Sequence, residues 1–283
     1  MGRITARRPA VRMSSSDARA LPRVETLAVE EPLELRIDGR PLTVTMRTPG
    51  SDMELAAGFL LAEGVVRAGG DIQTMRYCAG TDADGRQTYN VLDIVLAEGV
   101  APPDASVERA FVTTSACGLC GAAGIEAVRR RSAYDVSGDP LQVTPQLLAG
   151  LPDALRREQA TFDKTGGLHA AALFDNTGNL LCAREDVGRH NAVDKVLGWA
   201  LTAGEVPARG RVLMVSGRAS FELTQKAFMA GVPLLAAVSA PSSLAAELAA
   251  EVGMTLVGFL RGETMNVYAG AARVATSALA PLP

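Results

Sequence analysis

The feature that most constrains this fold is a regular alternation of strand-like and helix-like segments from about residue 107 to the end of the chain. Apolar runs such as RVLMVS (211–216) and PLLAAVS (233–239) each precede a segment with helical periodicity, as in FELTQKAFMA (221–230) and SLAAELAAE (243–251). Repeated units of this length predict an α/β layered domain with a largely parallel or mixed sheet over residues 107–283.

Residues 24–106 have a different pattern of predicted elements, with mostly strand-like runs and one helix. Alternating apolar and polar residues on either side of Asp38-Gly39 predict a β-hairpin. Ser51 and Glu54 form a capping-box pattern that opens a helix ending near Gly64. We therefore predict a small α+β lobe over 24–106, with 97–106 as the linker to the second domain.

The first 23 residues carry six Arg and one Asp, a net charge of +5 within a chain whose net charge is −3. The segment lacks the apolar core of a secretory signal and shows no apolar helical periodicity. We predict that residues 1–23 form a disordered basic tail.

Composition excludes several classes of protein. Hydrophobic residues make up 48% of the 283 residues and charged residues 21%, which is typical of a globular chain. The net charge gives no general attraction to nucleic acid, and no apolar run reaches the length of a membrane span. The four cysteines are sparse, and without a signal they indicate a reducing compartment. We predict a cytoplasmic protein that uses neither nucleic acid nor membrane as a partner.

Cys117 and Cys120 form a C-x-x-C pair in TTSACGLCG (113–121), between a predicted strand and a predicted helix. A helix N-terminus favours a thiolate and lowers the pKa of a cysteine there. The pair is compatible with half a zinc site, a redox dithiol, a structural role or a nucleophile that carries a group. The spacing of the two cysteines by itself favours a zinc site or a redox dithiol over a nucleophile that carries a group. The other two cysteines, Cys78 and Cys182, lie in apolar runs and are predicted to fill the core.

His169 lies in the apolar run GGLHAAALF (166–174). Together with C-x-x-C it partly matches the zinc deaminases, which use H-x-E followed by P-C-x-x-C. Here Ala171 stands where the general acid/base Glu would be, and the two motifs occur in the opposite order. Deaminase activity is therefore excluded. A zinc hydrolase that uses His169 with both thiols stays open as an alternative.

The run REDVGRHNAVDK (184–195) is dense in charged and polar residues and joins a predicted strand to a predicted helix. Ligand contacts collect at such junctions in α/β sheets. A solvated, capped helix start is the plain alternative. We prefer a binding role, in which Arg184 and Arg189 pair with phosphates and His190 relays a proton.

Three further segments follow predicted strands, and they are rich in small hydroxyl residues and glycine. They are Ser216-Gly217-Arg218, the turn beginning at Ser239, and the stretch Phe259-Leu260-Arg261-Gly262-Glu263-Thr264. Such residues at helix N-termini present free N–H groups to anions. The three segments together predict a phosphorylated or nucleotide-bearing ligand, although no P-loop or dinucleotide fingerprint is present.

Five of these segments, taken in order, resemble the FdhD family of formate dehydrogenase accessory proteins, which act as sulfur carriers. The resemblance runs from about residue 25 over most of the chain and rests on TTSACGLCG, GGLHAAALF, REDVGRHNAVDKVLG, SGRASFELTQKAFMAGVPLLAAVSAPSSLA and GMTLVGFLRGETMNVY. It implies a homodimer with a cytidine-deaminase-like α/β domain, with helices on both faces of the sheet, and a smaller extra lobe.

The resemblance also implies an activity, that of a sulfurtransferase with a cysteine persulfide intermediate. A cysteine desulfurase would load sulfur onto Cys117, with Cys120 as the auxiliary thiol. The sulfur would pass to the molybdenum bis(molybdopterin guanine dinucleotide) cofactor, a bound substrate destined for the formate dehydrogenase catalytic subunit. A guanine nucleotide would be a partial mimic. The family's cofactor-binding stretch corresponds to Phe259–Thr264, where Glu263 departs from a residue suited to phosphate.

A role of another class is also open: a non-catalytic chaperone that binds the cofactor or apo formate dehydrogenase. Its cysteines would be dispensable, and its turn residues, such as Arg261, would be decisive. The carrier hypothesis instead needs a nucleophilic thiolate on an accessible loop. No protein-bound metal is required by that mechanism.

Overall fold

The computed structural model describes residues 4–16, 19–78, 80, 88–102 and 132–275, which contain twelve strands and six α-helices. The strands are β1 (Thr5–Met13), β2 (Ala20–Ala28), β3 (Glu31–Ile37), β4 (Arg40–Arg47), β5 (Ile72–Tyr77), β6 (Val91–Leu96), β7 (His169–Phe174), β8 (Leu180–Asp186), β9 (Val212–Val215), β10 (Leu234–Ala237), β11 (Thr255–Arg261) and β12 (Thr264–Ala269). The helices are α1 (Asp52–Ala62), α2 (Pro145–Arg157), α3 (Ala160–Thr165), α4 (Arg189–Thr202), α5 (Phe221–Met229) and α6 (Ser243–Glu251). Short 3₁₀ turns lie at Gly69–Asp71 and Ala271–Arg273.

The larger sheet has six strands in the order β12-β11-β10-β9-β7-β8. Strands β9, β10 and β11 are parallel, whereas β7 is antiparallel to both β8 and β9. Alternate residues of each strand face opposite sides: Val212 and Met214 contact the apolar cluster that includes α2, and Leu213 and Val215 contact the one that includes α4, α5 and α6. Helices therefore cover both faces, which confirms the α/β prediction.

The smaller sheet has four strands in the order β4-β3-β6-β5, with β3 parallel to β6 and the other pairs antiparallel. The predicted hairpin is confirmed, because Asp38 and Gly39 connect β3 to β4 with the positive φ angles of a tight turn. Its apolar face packs on α1, as predicted for a small, mostly-β lobe. The exact domain boundaries stay a prediction, because residues 103–131 lie outside the described part of the chain.

Helix α1 begins and ends close to the predicted positions, but its cap differs. Ser51 is in the left-handed region and makes no side-chain capping bond, so the capping-box prediction was wrong. The Asp52 carboxylate instead accepts from the Gly50 N–H and lies in a buried ion pair with Arg47 at 3.0 Å. The helix start is therefore held by a tertiary contact, which a local motif does not reveal.

The prediction of a disordered tail was wrong for its described residues. Strand β1 pairs with β2 in antiparallel register from Thr5 opposite Ala28 to Met13 opposite Ala20. The outer part of the hairpin is largely solvent-exposed, and β2 contacts α3. The sequence of β1, TARRPAVRM, does not alternate apolar and polar residues, so it carries no period-two signal of a strand.

The two sheets are joined by a close crossing of α1 and α4. A Cβ placed on Gly58 would lie 1.9 Å from the Asp194 carbonyl oxygen, and one on Gly198 would lie 1.8 Å from the Glu54 carbonyl oxygen. Both distances are far shorter than a van der Waals contact, so only glycine lets the two backbones approach this closely. The helices form one continuous apolar core with both sheets.

We expect Gly198→Ala to destabilise the protein by about 3 kcal/mol or more, because the added methyl group must push α1 away from α4. Denaturant unfolding followed by circular dichroism measures this change. Gly150→Ala is the matched control: Gly150 is also helical, but its Cβ would meet nothing within 4 Å. That control should be neutral or stabilising by up to about 1 kcal/mol. Equal stabilities of the two variants would contradict the packing argument.

Candidate functional site

Five chain segments meet at one edge of the larger sheet. Strands β8, β9, β10 and β11 all point toward this edge with their carboxyl ends, and β7, which runs the opposite way, begins there. The segments that follow or precede these strands contain the predicted binding residues Arg189, His190, Ser216, Gly217, Arg218, Ser239 and Phe259–Thr264. In open α/β sheets this edge is where ligands bind.

Hydrogen bonds continue the strand ladder beyond the sheet and join successive turns. The Ala170 N–H donates to Ser216 Oγ at 2.9 Å, the Ser239 N–H donates to the Gly217 carbonyl at 3.3 Å, and the Phe259 N–H donates to the Ser239 carbonyl at 3.1 Å. These N–H groups are used within the protein. The expectation that backbone N–H groups of these turns bind an anion therefore does not hold at Ser239 and Phe259, and side chains must provide the contacts there.

The stretch Phe259–Thr264 is a hairpin turn and not a helix start, which corrects the expectation for this segment. Arg261 pairs with Thr264 across the turn from β11 to β12, and Gly262 takes a φ of 53° within it. The Arg261 Nε donates to the Val238 carbonyl at 3.1 Å, which leaves the rest of its exposed guanidinium for solvent or ligand. Glu263 is exposed at the tip of the turn.

The two residues that begin this stretch face opposite ways. Phe259 adopts a φ of 51°, unusual for a residue with a side chain, and the residue is 41% exposed at the sheet edge. Leu260 is fully buried in the apolar cluster beneath α2. Leu260 is therefore inaccessible to a ligand in this structure, whereas Phe259 is exposed.

Arg189 and His190 occupy the first turn of α4, where Gly188 caps the helix without a side-chain bond. The Nε of Arg189 is buried without a hydrogen-bond partner among the described residues. His190 Nε2 lies 2.7 Å from Glu222 Oε2, an ion-pair distance without an aligned hydrogen bond. The imidazole lowers the pKa of the Glu222 carboxyl. Sequence analysis did not identify Glu222, because its role depends on the packing of α5 against α4.

His169 begins β7 at the same edge, and its ring lies against the backbone of Gly217. Burial lowers the pKa of His169, and the nearby positive charges of Arg189 and His190 lower it further. The imidazole is therefore neutral near pH 7. It can accept or donate a hydrogen bond beside a cluster of cations, which suits contact with an anionic ligand.

A cleft of about 530 Å³ opens beside His169, between the sheet edge and the pair of helices α2 and α3. Its lining is largely apolar and includes Phe162, Val187 and Val238, with Ser216 among its polar groups. Small-molecule sites have this character, with a volume between about 300 and 1,000 Å³ and a few polar groups. The cleft lies beside His169, near the start of α4.

Arg184 is not available to phosphates, contrary to the prediction. Its Nε and one terminal nitrogen donate to the two carboxylate oxygens of Glu54, at 2.6 and 2.7 Å. Such a two-point pair is strong and geometrically specific. Arg184 therefore joins β8 to α1 and contributes to the union of the two lobes.

A buried ion pair holds the segment that follows β8. Lys195 Nζ lies 2.7 Å from Asp186 Oδ2, and both side chains are almost wholly inaccessible to solvent. Asp186 also accepts from the N–H groups of Thr48 and Gly188, and Lys195 donates to the Thr48 carbonyl. The polar run 184–195 is thus divided: most of its charges are structural, while Arg189 and His190 face the site.

A second buried pair links the two helices behind the site. Lys226 Nζ lies 2.8 Å from Asp194 Oδ1, and the ammonium group lies 5.8 Å from the centre of the Phe59 ring. Burial raises the pKa of Asp194, whereas the carboxylates around Lys226 keep its pKa above the ordinary value despite burial. The pair orients α5, and with it Glu222, relative to α4.

The predictions for the four cysteines have different outcomes. Cys117 and Cys120 lie outside the described residues, so their predicted roles are not tested here. Cys182 is buried, and burial raises its pKa to about 12, which confirms it as core. Cys78 is only partly buried, so the core assignment holds less well for it.

Within the described residues no three His, Cys, Asp or Glu side chains form a metal-binding group. Among these residues, no helix is long and apolar enough to cross a bilayer.

Comparison with known proteins gives consistent matches over nearly the whole chain. The model of the FdhD/NarQ family matches residues 28–275. The chain is 59% identical to a protein from Streptomyces coelicolor named sulfur carrier protein FdhD, over 98% of each chain. It is also 59% identical to a protein of that name from Mycobacterium tuberculosis, over 97% of this chain and 100% of the other.

A solved structure shares the fold. It is that of a protein from Desulfotalea psychrophila provisionally assigned as a formate dehydrogenase accessory protein, and it matches with a TM-score of 0.74. The match covers 96% of this chain and 100% of the other at 22% sequence identity.

We expect Lys195→Met to cost about 3–5 kcal/mol of unfolding free energy, because it leaves the carboxylate of Asp186 buried without its counter-ion. Equilibrium denaturation measures the loss. The matched control is Lys164→Met on exposed α3, which should change stability by no more than about 0.5 kcal/mol. A loss at Lys195 no larger than at Lys164 would show that the pair is not structural.

We expect the His169 imidazole to titrate below the ordinary value of 6.5, and its pKa to rise in Arg189→Gln. Because the pKa is lower in the folded than in the unfolded chain, this group's contribution to stability is lost as the pH falls below about 6.5. NMR titration of the ring protons measures both pKa values. Arg40→Gln, an exposed change on the small sheet, should leave the titration of His169 unmoved. An unshifted pKa in Arg189→Gln would refute the assigned proximity.

Proposed function

The chain belongs to the FdhD/NarQ family, and from that premise we propose that it is a sulfur carrier. It takes persulfide sulfur from a cysteine desulfurase on Cys117 and delivers it to the molybdenum bis(molybdopterin guanine dinucleotide) cofactor, which is then inserted into formate dehydrogenase. The observation that carries the proposal is the 59% identity, over 98% of each chain, to a protein named as a sulfur carrier. The C-x-x-C pair in TTSACGLCG provides the chemistry that this name requires.

Loading is an exchange between a thiolate and a persulfide. The Cys117 thiolate attacks the outer sulfur of the desulfurase persulfide, so one S–S bond forms as another breaks. The electron pair leaves with the desulfurase cysteine as a thiolate. The products are a persulfide on Cys117 and a free thiolate on the donor, with no external oxidant or reductant.

Release uses the second thiol. Cys120 attacks the inner sulfur of the Cys117 persulfide, which forms a disulfide between the two cysteines and expels the outer sulfur as hydrosulfide. The two cysteines supply the two electrons, and the hydrosulfide is delivered to the bound cofactor. A cellular dithiol then reduces the disulfide and restores the pair.

The sheet edge provides the groups that a pyrophosphate-bearing substrate needs. Arg189 has a buried nitrogen without a partner among the described residues, and the guanidinium groups of Arg218 and Arg261 are exposed on neighbouring turns. Guanidinium groups bind phosphate oxygens through two parallel donors. Phe259 presents an exposed ring on which a flat heterocycle can stack. These features support binding of the cofactor at this edge.

The same proposal covers the protein's partners and location. We place the carrier in the cytoplasm as a homodimer, which meets the cysteine desulfurase and the catalytic subunit of formate dehydrogenase in turn. A thiolate that serves two large proteins must be accessible to both. The overall net charge of −3 provides no general electrostatic attraction to nucleic acid.

We expect Cys117→Ala to abolish both sulfur loading and activation of formate dehydrogenase, because the nucleophile is gone. Loading is measured as a gain of one sulfur atom on the C-x-x-C peptide by mass spectrometry, after incubation with a cysteine desulfurase and cysteine. Activation is measured as formate oxidation in cells. Cys120→Ala should accept sulfur but not release it, so the persulfide accumulates on Cys117.

The matched control is Cys78→Ala, which changes a partly buried cysteine on the small lobe and should leave both readouts at the level of the native protein. If Cys117→Ala still activates formate dehydrogenase while Arg261→Ala does not, the carrier assignment is wrong and a cofactor-binding chaperone is the better description.

A further inference from the structure

The hairpin of β1 and β2, which we call the arm (residues 4–28), exposes much apolar surface. It contains six of the twelve large hydrophobic side chains that are exposed in the described chain, namely Ile4, Val11, Met13, Leu21, Val24 and Leu27. The family model begins at residue 28, so the arm lies outside the region that the model matches. A two-stranded hairpin by itself is only marginally stable in water. The arm therefore needs a cover that stays in place.

The strand register separates an apolar face of the arm from a basic face. Cross-strand partners share one face, and successive pairs alternate between the two faces. The apolar face consists of three pairs toward the tip, Pro9 with Val24, Val11 with Pro22, and Met13 with Ala20, all of them exposed. The intervening pairs place Arg8, Arg12 and Arg23 on the opposite face. Proline has no N–H to offer to an added strand, so the cover packs on the face of the arm and not along its edges.

Charge and permanence favour the body of a second copy as the cover. Residues 4–28 contain five Arg and two acidic residues, a net charge of +3 in a chain of −3, which leaves −6 on the remaining residues. An arm is thus attracted to the body of another copy and repelled by another arm. The partners in sulfur transfer meet the carrier in turn, so neither of them can cover the arm permanently.

The area that an arm can bury leads to the same arrangement. Nine paired residues make an arm about 30 Å long, and two strands make it about 10 Å wide, so one face covers about 300 Å². Two arms stacked on each other would bury about 600 Å² in total, whereas two arms that each lie on the other copy's body would bury about 1,200 Å². Only the second value reaches the size of a stable interface, which is about 1,200–2,000 Å².

An exposed apolar surface of the body lies beside the root of the arm. Val44 and Met46 belong to β4, the edge strand of the smaller sheet, and are 51% and 48% exposed. The arm leads into β3, where Pro32 is paired with Met46. Exposed apolar residues on an edge strand favour association with another chain. A twofold axis near the root of the arm brings each arm to β4 of the partner.

We propose that two copies of this chain exchange their arms, so that the apolar face of each arm packs on Val44 and Met46 of the other copy. This inference rests on the proposed function, since it identifies the interface of the homodimer. The arginines of the basic face stay in solvent. Because β2 contacts α3, which contributes Phe162 to the cleft, the exchange also supports one wall of the site.

The first test is sedimentation equilibrium of the full chain, which measures the dissociation constant of the dimer. Val24→Asp places a carboxylate on the apolar face of both arms. We expect the constant to rise at least about 100-fold, about tenfold for each of the two equivalent contacts. Leu21→Asp is the matched control, because Leu21 lies on the same strand and is equally exposed, at 57%, but on the opposite face. It should dimerise like the native chain. Val44→Asp should weaken the dimer as much as Val24→Asp.

The second test mixes the two defective variants. In a heterodimer of Val24→Asp and Val44→Asp, the native arm of one chain meets the native β4 of the other, so one of the two contacts is intact. We expect this heterodimer to form about tenfold more tightly than either variant alone. No gain on mixing would overturn the exchange, and so would native dimerisation of Val24→Asp.

The outcomes also separate this inference from the proposed function. A native chain that stays monomeric would overturn both the exchange and the homodimer. A dimer that persists in Val24→Asp would overturn the exchange alone and leave the homodimer in place. Sulfur loading on Cys117, measured on the same preparations, reports on the carrier assignment independently of either result.

Discussion

Helices α1 and α4 approach so closely that each presents a glycine to the other's backbone, and the remaining architecture depends on this contact. Gly58 lies against the carbonyl of Asp194, and Gly198 against that of Glu54. The crossing buries α1 between the small sheet and the larger α/β layer, so both lobes share one core. It also fixes the start of α4, where Arg189 and His190 emerge at the edge of the larger sheet.

Charges buried around this crossing explain why so polar a segment can lie inside the protein. Asp186 and Lys195 neutralise each other, and Arg184 pairs with Glu54 on α1. A buried pair is worth little net stability compared with apolar packing, but its disruption is costly because a lone charge remains. The pairs therefore act mainly to define one arrangement of the strand end, the helix start and the small lobe. Arg189, whose Nε lacks a hydrogen-bond partner in the described chain, takes no part in these pairs.

The site at the sheet edge combines cations, a neutral histidine and an apolar cleft. Burial and the neighbouring cations lower the pKa of His169. Next to it lies a cleft between the sheet edge and helices α2 and α3, with a largely apolar lining.

By itself the sequence determined much of the order of elements, because apolar periodicity and turn residues are local properties: the hairpin at Asp38-Gly39 and the strand–helix units after residue 166 form as predicted, whereas the β1–β2 hairpin was missed. It also determined the family, through the motifs around residues 113–121 and 253–268. Only the tertiary structure decided which polar residues serve the site. Arg184 and Arg189 look alike in sequence, yet Arg184 pairs with Glu54, whereas the Nε of Arg189 has no partner among the described residues. Pairing between residues that are far apart in the chain depends on how the helices pack, and no local pattern encodes it.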